Sequence, residues 1–578
     1  MSLGERIQTA KGVTSVRDFD YDKNLGYLAI GYNYIYNKNK YPSLGLFDVK
    51  IKKRFIGIKD VYKNIDKVLF SPNGKFILAG YENGNIKLFN TKSHKAIRDF
   101  KGHSNGIYNF KFNSDGKTIV SVGKERILKI WSLSTGKELI SIVGFKEEYD
   151  TDKEWIAITP QGYFNASKNG AKYLNILTDP MTVTSIDAFY DKFYRPDIVK
   201  KALSGKTITQ KDTLKNVIKN KLAPKVEILR VSESMSEDEK IRSTKSQYVY
   251  VTLKIDSKSG SVGDVRIQNN NIAIKTDSLR ALFPKHKKSF KHKKYKVYLK
   301  KGINNITVSV TNRDNSMRSS IVSYKVEAKL HKAQSKNLHA VIVGIDSFTD
   351  SRNNLKFTVK DAKAFATLLK KTASKTYDNV SIKLLTSKEE TSKENIKKVL
   401  KSYSKKVNTN DTFIFYGATH GTVDELDGSY YFITSDYDGD LKNSIDRQTL
   451  VKLLSNVKMQ NKLIILDTCY STEGSEDMIT DLVNPSLQKI AKSGISIFAG
   501  SGTQQEALDG YKGHGLFTYT LLKGLRSIKS IGNKDRIITV SEPGSFVENQ
   551  VPLYAEKINF IQTPLFEKSG ENFKIGGE

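Results

Sequence analysis

Two residues of this chain have the types and the spacing for covalent chemistry on a carbonyl group. Cys469 is the only cysteine among 578 residues, and it stands just past an apolar run in KLIILDTCYSTEG (462–474). His420 closes another apolar run, DTFIFYGATHG (411–421), 49 residues upstream (469 − 420). A thiol beside an imidazole loses its proton readily, and the thiolate is the attacking form. The imidazole can then hand the proton to a leaving amine. Gly421 follows the histidine, where its N–H and that of Cys469 can together hold an oxyanion. Each residue also has a blander reading. A lone cysteine is often a small buried hydrophobe, and a lone histidine is often a satisfied core residue. Order, spacing and placement together favour chemistry. A second histidine, His514 in YKGHGLF (511–517), follows the cysteine at the start of a helix-like segment and is the weaker candidate for the base.

Such a pair must be delivered by two elements ending at one edge. From about residue 336, apolar strands alternate with helices. NLHAVIVGID, NVSIKLL, DTFIFYGATHG, SYYFITS, KLIILDTC and GISIFAGSG read as strands. KDAKAFATLLKK, TSKENIKKVLKSYSKK, segments near 446–456 and 483–492, and HGLFTYTLLKGL read as helices. Thr391 and Glu394 have the spacing of a capping box for the second helix. This alternation predicts an α/β domain with a mostly parallel sheet. Functional residues of such sheets gather at the carboxyl ends of the strands. If the two strands are parallel neighbours, His420 and Cys469 lie side by side.

The region 336–578 resembles the caspase-like cysteine peptidase family, in its bacterial and metacaspase-type branch. VIVGIDSF with KDAKAFATLL resembles the family's opening strand and first helix. FIFYGATHG resembles its histidine motif, LIILDTCYS its cysteine motif and GLFTYTLLKGL its late helix. The resemblance implies a cysteine endopeptidase in which Cys469 attacks, His420 is the general acid/base, and the N–H groups of Gly421 and Cys469 form the oxyanion hole. Two departures stand out. Ala418-Thr419 and Ser471-Thr472 occupy positions where the family usually has Ser-Gly. Asp361, in VKDAKAF, matches the acidic residue of the metacaspase Asn-Asp-Ala segment, and Asp467 stands two residues before the cysteine. Two carboxylates in a semi-buried slot favour a cation, so the resemblance implies cleavage after Arg or Lys. Ala418 stands where metacaspases have a pocket serine, which leaves the fine specificity open. Alternatively, Asp361 caps its own helix and Asp467 orders a loop.

No cofactor is expected, with calcium left open. Metacaspases often need calcium, and SDYDGD (435–440) sets Asp436, Asp438 and Asp440 at alternate positions. A turn accounts for that segment equally, and no EF-hand completion follows. Asp446 matches only one of the paired acids of the metacaspase calcium site. The loop 471–489 falls where family members often carry an activation segment, and Lys489 or Lys492 is a candidate self-cleavage position.

Upstream, FSPNGKFILAGYENGNIKLFN (70–90) realigns with FNSDGKTIVSVGKERILKIWS (112–132) at an offset of 42, and Phe47 precedes Phe89 by the same interval. An earlier copy fits if NYIYNKNKY is an insertion. Each unit reads as strands joined by Asn-Gly or Asp-Gly turns, at the period of a propeller blade. The unit resembles the WD-repeat family, with Gly102-His103 and Ile130-Trp131-Ser132 at its signature positions, Ser132 replacing the usual Asp. Three copies, with EWIAITPQGYFNAS (154–167) as strands of a further one, fall short of a closed propeller. The propeller is partial, capped by other segments, or lacks an upstream part. The domains expected are a partial WD-repeat-like β-propeller region (1–178), a helical basic linker (179–222), an immunoglobulin-like β-sandwich (223–330) and the caspase-like domain (336–578). The sandwich rests on alternating strands from VEILRV to NNITVSVTN and offers no chemistry of its own.

The net charge of +33 admits nucleic acid as a partner, and KHKKSFKHKKYKVYLKK (285–301) is its densest run. Lysine outnumbers arginine, which reads bases better, so a solvated lysine-rich hairpin fits as well. One cysteine excludes a disulfide framework and a multi-cysteine zinc site and fits a reducing compartment. The opening MSLGERIQTAKGV is not a secretory signal, and no apolar run reaches membrane-spanning length. A soluble, cytoplasmic protein without a membrane partner is expected. Its partners are a protein substrate and a regulatory protein held by the WD-repeat-like region. Stress response or antiviral defence is the kind of role the resemblance suggests. Two rivals remain: a catalytically inactive caspase-like scaffold, and a nucleic-acid-responsive effector.

Overall fold

The computed structural model describes residues 13–34, 44–50, 55–58, 64–145 except 115, and 154–330 except 168, 180–181, 206–207, 209, 211, 221–222, 237–239, 258–261 and 284–288. It further describes 336–469 except 406–409, 425–429, 458 and 460, then 490, 494–500, 508–526 and 535–577. The chain divides into two compact units, residues 1–176 with 198–215, and residues 177–197 with 216–578.

In the first unit the repeat becomes antiparallel sheets. Four strands from Val13–Asp22 to Phe55–Gly57 form one sheet, and four from Ile65–Phe70 to Ala96–Phe100 form the next. The third strands of the successive units begin at Leu44, Ile86 and Leu128, 42 residues apart each time. NYIYNKNKY lies largely outside the described residues. EWIAITPQGYFNAS does not start a further sheet. Its strands Glu154–Ile158 and Phe164–Ala166 extend the third sheet to six strands, because Glu154–Ile158 pairs antiparallel with the fourth strand, Glu138–Phe145.

The repeat signature does its work as a buried hydrogen-bond chain. The indole N–H of Trp131 donates to Ser121 Oγ at 2.7 Å, and Ser121 Oγ lies 2.7 Å from His103 Nε2. A carboxylate can only accept, so Glu125 keeps the hydrogen on His103 Nδ1, and in the neutral ring Nε2 accepts from the Ser121 hydroxyl. Ser121 and Trp131 are fully buried.

The segment 179–222 carries the short helices Tyr190–Phe193, Pro196–Leu203 and Leu214–Asn220, preceded by the paired strands Asn175–Asp179 and Thr182–Ser185. Asp187 and Asp191 form ion pairs with Arg318 and Arg266, each at 2.6 Å, which ties that part to the sheets of the second unit. Residues 198–215 group with the first unit, where Tyr163 donates to the Asp212 carbonyl at 2.6 Å.

Between Lys225 and Ala328, a three-stranded and a five-stranded sheet share one core, with Val251, Leu253, Val265, Val308 and Val326 buried together. The strand Ser289–Tyr298 lies at the edge of the three-stranded sheet. It carries most of the lysine-rich run that is described, and Lys296 Nζ sits 3.4 Å above the Tyr248 ring. Lysines on an edge strand also guard it against pairing with another chain.

The α/β part begins at Asn337. Its sheet runs in the order β2-β1-β3-β4-β5-β6, where β1 is Asn337–Gly344, β2 Asn379–Leu385, β3 Thr412–Val423, β4 Asn461–Cys469, β5 Ser496–Ala499 and β6 Leu565–Glu567. The first five are parallel and β6 is antiparallel. Side chains alternate between two cores, so Ile464 and Leu466 face one and Leu463 and Ile465 the other. The second core receives the helices α1 (Thr358–Ala373), α4 (Leu516–Arg526) and α5 (Ser541–Glu556). The first receives α2 (Lys393–Tyr403) and α3 (Arg447–Ser455). The capping box does not form at α2. Ser392 is the N-cap residue with no side-chain bond, and Asp436 accepts from Lys393 N at 3.0 Å instead. Of the helix expected near 483–492, only Ile490 is described.

The two sheets between Lys225 and Ala328 meet the α/β sheet at the foot of β4. Lys462, 3% exposed, donates its ammonium to the Ala273 carbonyl, and Ala273 N donates to the Gly494 carbonyl at 2.9 Å. Burial pushes the Lys462 amine down to about 7. Among the described residues no helix is long and apolar enough to cross a membrane.

Ser121→Ala would leave the buried Trp131 N–H and His103 Nε2 unpartnered. It is expected to destabilise the first unit by about 2 kcal/mol. The check is a lower urea midpoint followed by Trp131 fluorescence.

Candidate active site

β3 and β4 pair in parallel with Ala418 opposite Asp467, Thr419 opposite Thr468, and His420 opposite Cys469. Neighbouring strands lie roughly 4.8 Å apart, so the two expected catalytic residues occupy adjacent backbone positions at one sheet edge. The edge lies beside the switch point where the chain order reverses around β1. The backbone of Cys469 is described and its thiol is not.

His420 is 7% exposed, and its ring is held on two sides. Its Nε2 lies 2.7 Å from the backbone carbonyl of Asn353, and the Phe348 ring lies 5.2 Å away. A carbonyl can only accept, so Nε2 carries the hydrogen. In the neutral ring Nδ1 is therefore the basic nitrogen, available to take a proton. Asn353 and Phe348 come from the loop after β1 and were absent from the sequence-derived site. A main-chain carbonyl leaves no mark on residue type, which is why sequence could not point to it.

β3 runs on past His420 to Val423 and pairs antiparallel with the short strand Tyr430–Phe432, Gly421 opposite Phe432. A Cβ at Gly421 would come within 2.9 Å of the Tyr430 ring and 3.0 Å of Thr468 Oγ1. Packing alone thus requires a glycine here, in addition to any part its N–H plays. Of the departures from the family motif, Thr419 uses its hydroxyl, which donates to the Ile433 carbonyl at 2.9 Å, and Ala418 packs in the core. Ser471 and Thr472 lie outside the described residues, as do Lys489 and Lys492.

Asp361 and Asp467 come together. A Cβ placed on Gly515 would lie 3.0 Å from Asp467 Oδ2 and 3.2 Å from Asp361 Oδ2. Asp361 does not cap its own helix, where Phe357 is the N-cap residue. It reaches across to the start of α4, accepting from Gly515 N at 2.8 Å and contacting His514 Nδ1. Asp467 accepts from the Thr518 hydroxyl at 2.5 Å and from the Thr518 N–H. Both carboxylates therefore face the positive end of the α4 dipole. Their exposures are 2% and 5%. Burial pushes both up to about 7, with Asp361 adding to the rise at Asp467 and Asp509 to that at Asp361. His514 is the residue the sequence reading undervalued. It lies on Asp361, in the two-residue strand His514–Gly515 paired with Asp509–Tyr511.

The acidic loop left open for calcium accepts hydrogen bonds from the chain itself. Asp436 accepts from Lys393 N and from the Thr434 hydroxyl at 2.6 Å. Asp438 accepts from Asp440 N, and Asp440 from Lys442 N. Asp446 caps α3 by accepting from Thr449 N at 2.9 Å. Among the described residues no cluster of three His, Cys, Asp or Glu side chains is arranged to hold a metal.

A carboxyl group whose folded pKa is raised holds its proton longer in the folded state than in the unfolded chain. Its contribution is therefore fully present below about pH 4 and lost as pH rises through about 7. Asp467→Asn keeps an acceptor for Thr518 and removes this titration. The variant is expected to gain melting temperature over the parent at pH 8 relative to pH 5. Equal differences at both values would contradict the assignment.

Residues 337–569 match the family model described as Caspase domain, and residues 60–90 and 94–132 match WD domain, G-beta repeat. The zebrafish (Danio rerio) eukaryotic translation initiation factor 3 subunit I is 26% identical over 176 residues, covering 30% of this chain and 50% of that protein. The mouse (Mus musculus) apoptotic protease-activating factor 1 is 24% identical over 109 residues, covering 19% and 8%. The chain thus spans half or less of the length of these relatives. A solved structure of the computationally designed Ika4 protein aligns at 12% identity over 27% of this chain and 91% of its own, with a TM-score of 0.18, too low to bear on the fold. Sheet order, motif placement and family models agree: the chain is a multidomain protein that joins N-terminal WD repeats to a domain of the caspase family.

Proposed function

We propose that the caspase domain is a cysteine endopeptidase that cleaves after Arg or Lys. The observation that carries this reading is the register of β3 and β4, with His420 opposite Cys469 and the ring's Nε2 already committed to a carbonyl. That arrangement supports Nδ1 as the base for the Cys469 thiol and, later, the acid for the leaving amine. The N–H groups of Gly421 and Cys469 are the proposed oxyanion donors. The meeting of Asp361 and Asp467 supports a pocket for a basic side chain, which would supply the counter-charge that two buried carboxylates lack. The WD repeats are proposed to hold a regulatory protein. Tyr108 and Phe19, 70% and 66% exposed, supply apolar surface for it, and one WD-repeat relative is itself named a protease-activating factor.

The scaffold reading has one observation in its favour: both carboxylates also anchor the first turn of α4, a job that needs no substrate. Turnover of Arg- and Lys-ended fluorogenic peptides, with and without calcium, separates the two. Cys469→Ala is expected to abolish turnover, and His420→Ala to cut kcat by about 10²–10⁴-fold. Thiol-independent turnover, or none under any condition, favours the scaffold. Self-cleavage around Lys489 or Lys492 is expected to produce bands from the parent protein that Cys469→Ala lacks.

A further inference from the structure

The acidic pair is already occupied by groups of the chain itself. The N–H groups of Gly515 and Thr518 are main-chain donors at the α4 N-terminus and cannot withdraw without unwinding its first turn. His514 is different. It holds Asp361 Oδ1 through a side chain with two rotatable bonds, and 18% of that side chain is exposed. It follows Lys512 and Gly513, whose φ values of 50° and 79° make a tight reversal ahead of it.

We propose that His514 is a specificity-determining gate, whose ring occupies the Asp361 oxygen that a basic substrate side chain needs and yields it only to a competing guanidinium or ammonium. The inference rests on the Arg/Lys-cleaving reading given above. The ring contacts Asp361 and feels Lys360, both on α1, and Arg526 on α4, while Asp509, on the short strand Asp509–Tyr511, acts on Asp361, and Asp361 on Asp467 of β4. The carboxylates favour a charged ring, whereas burial, Lys360 and Arg526 discourage it and hold its pKa below the usual histidine value.

The test compares the full-length parent with His514→Ala and His514→Gln at pH 6 and pH 8. Benzamidine binding by calorimetry is read beside KM and kcat on an Arg-ended peptide. The gate predicts at least about fivefold tighter benzamidine binding and lower KM in the Ala variant, with kcat held within about twofold. Gln should fall between. A ring that merely supported the pocket would give weaker binding and higher KM on removal. If the parent binds and cleaves while the variants do so equally or less well, the gate is overturned and the protease reading stands. If no protein binds benzamidine and no thiol-dependent turnover occurs, the reading beneath it falls and the gate with it.

Discussion

The parallel pairing of β3 with β4 is the constraint on which this site depends. Nine consecutive residue pairs, from Thr412 opposite Asn461 to His420 opposite Cys469, fix one strand against the other. A slip of one residue would send each side chain to the opposite face. That slip is blocked by alternating burial: Phe413 and Phe415 belong to one core, and Ile414 and Tyr416 to the other. That register is thus held by apolar packing well below the edge that carries His420 and Cys469.

The second constraint is the seating of α4. A helix end leaves N–H groups without intrahelical partners. Here they are answered by carboxylates from β4 and α1 rather than by a local capping residue. Tyr416 of β3 joins the same cluster, its hydroxyl 2.7 Å from that of Thr518. The helix start, the central strands and the first helix are therefore one hydrogen-bonded unit. The cost of burying two carboxylates beside each other is accepted because the helix dipole and its free donors surround them.

Much of the α/β fold was legible because its strands are continuous apolar runs flanked by amphipathic helices. VIVG and KLIIL admit little else, and period and length sufficed. What stayed hidden depends on groups far apart in the chain. Asp361 and His514 are separated by 153 residues, and nothing in either motif announces the contact. The capping box failed for a similar reason: Asp436, 43 residues from Lys393, supplies the N–H acceptor that Thr391 was expected to provide. The WD signature was readable at Gly102-His103 and Trp131, but Ser121, which joins them, is indistinguishable in sequence from any strand serine. The strands after Glu154 repeated the pattern of a new blade, and only pairing with Glu138–Phe145 shows them extending the old one.

The ammonium of Lys462 at the foot of β4 makes the borders between these folds less separable than their sequences suggest. Its acceptor belongs to a strand of the preceding pair of sheets, nearly two hundred positions earlier in the chain. Excising the caspase-domain segment by itself would take that oxygen away and leave Lys462 with its longer bond to the Ser455 carbonyl, at 3.4 Å. The two sheets between Lys225 and Ala328 therefore act as part of the footing for the strand that ends in Cys469, and a shuffled version of this protein must inherit the two pieces together.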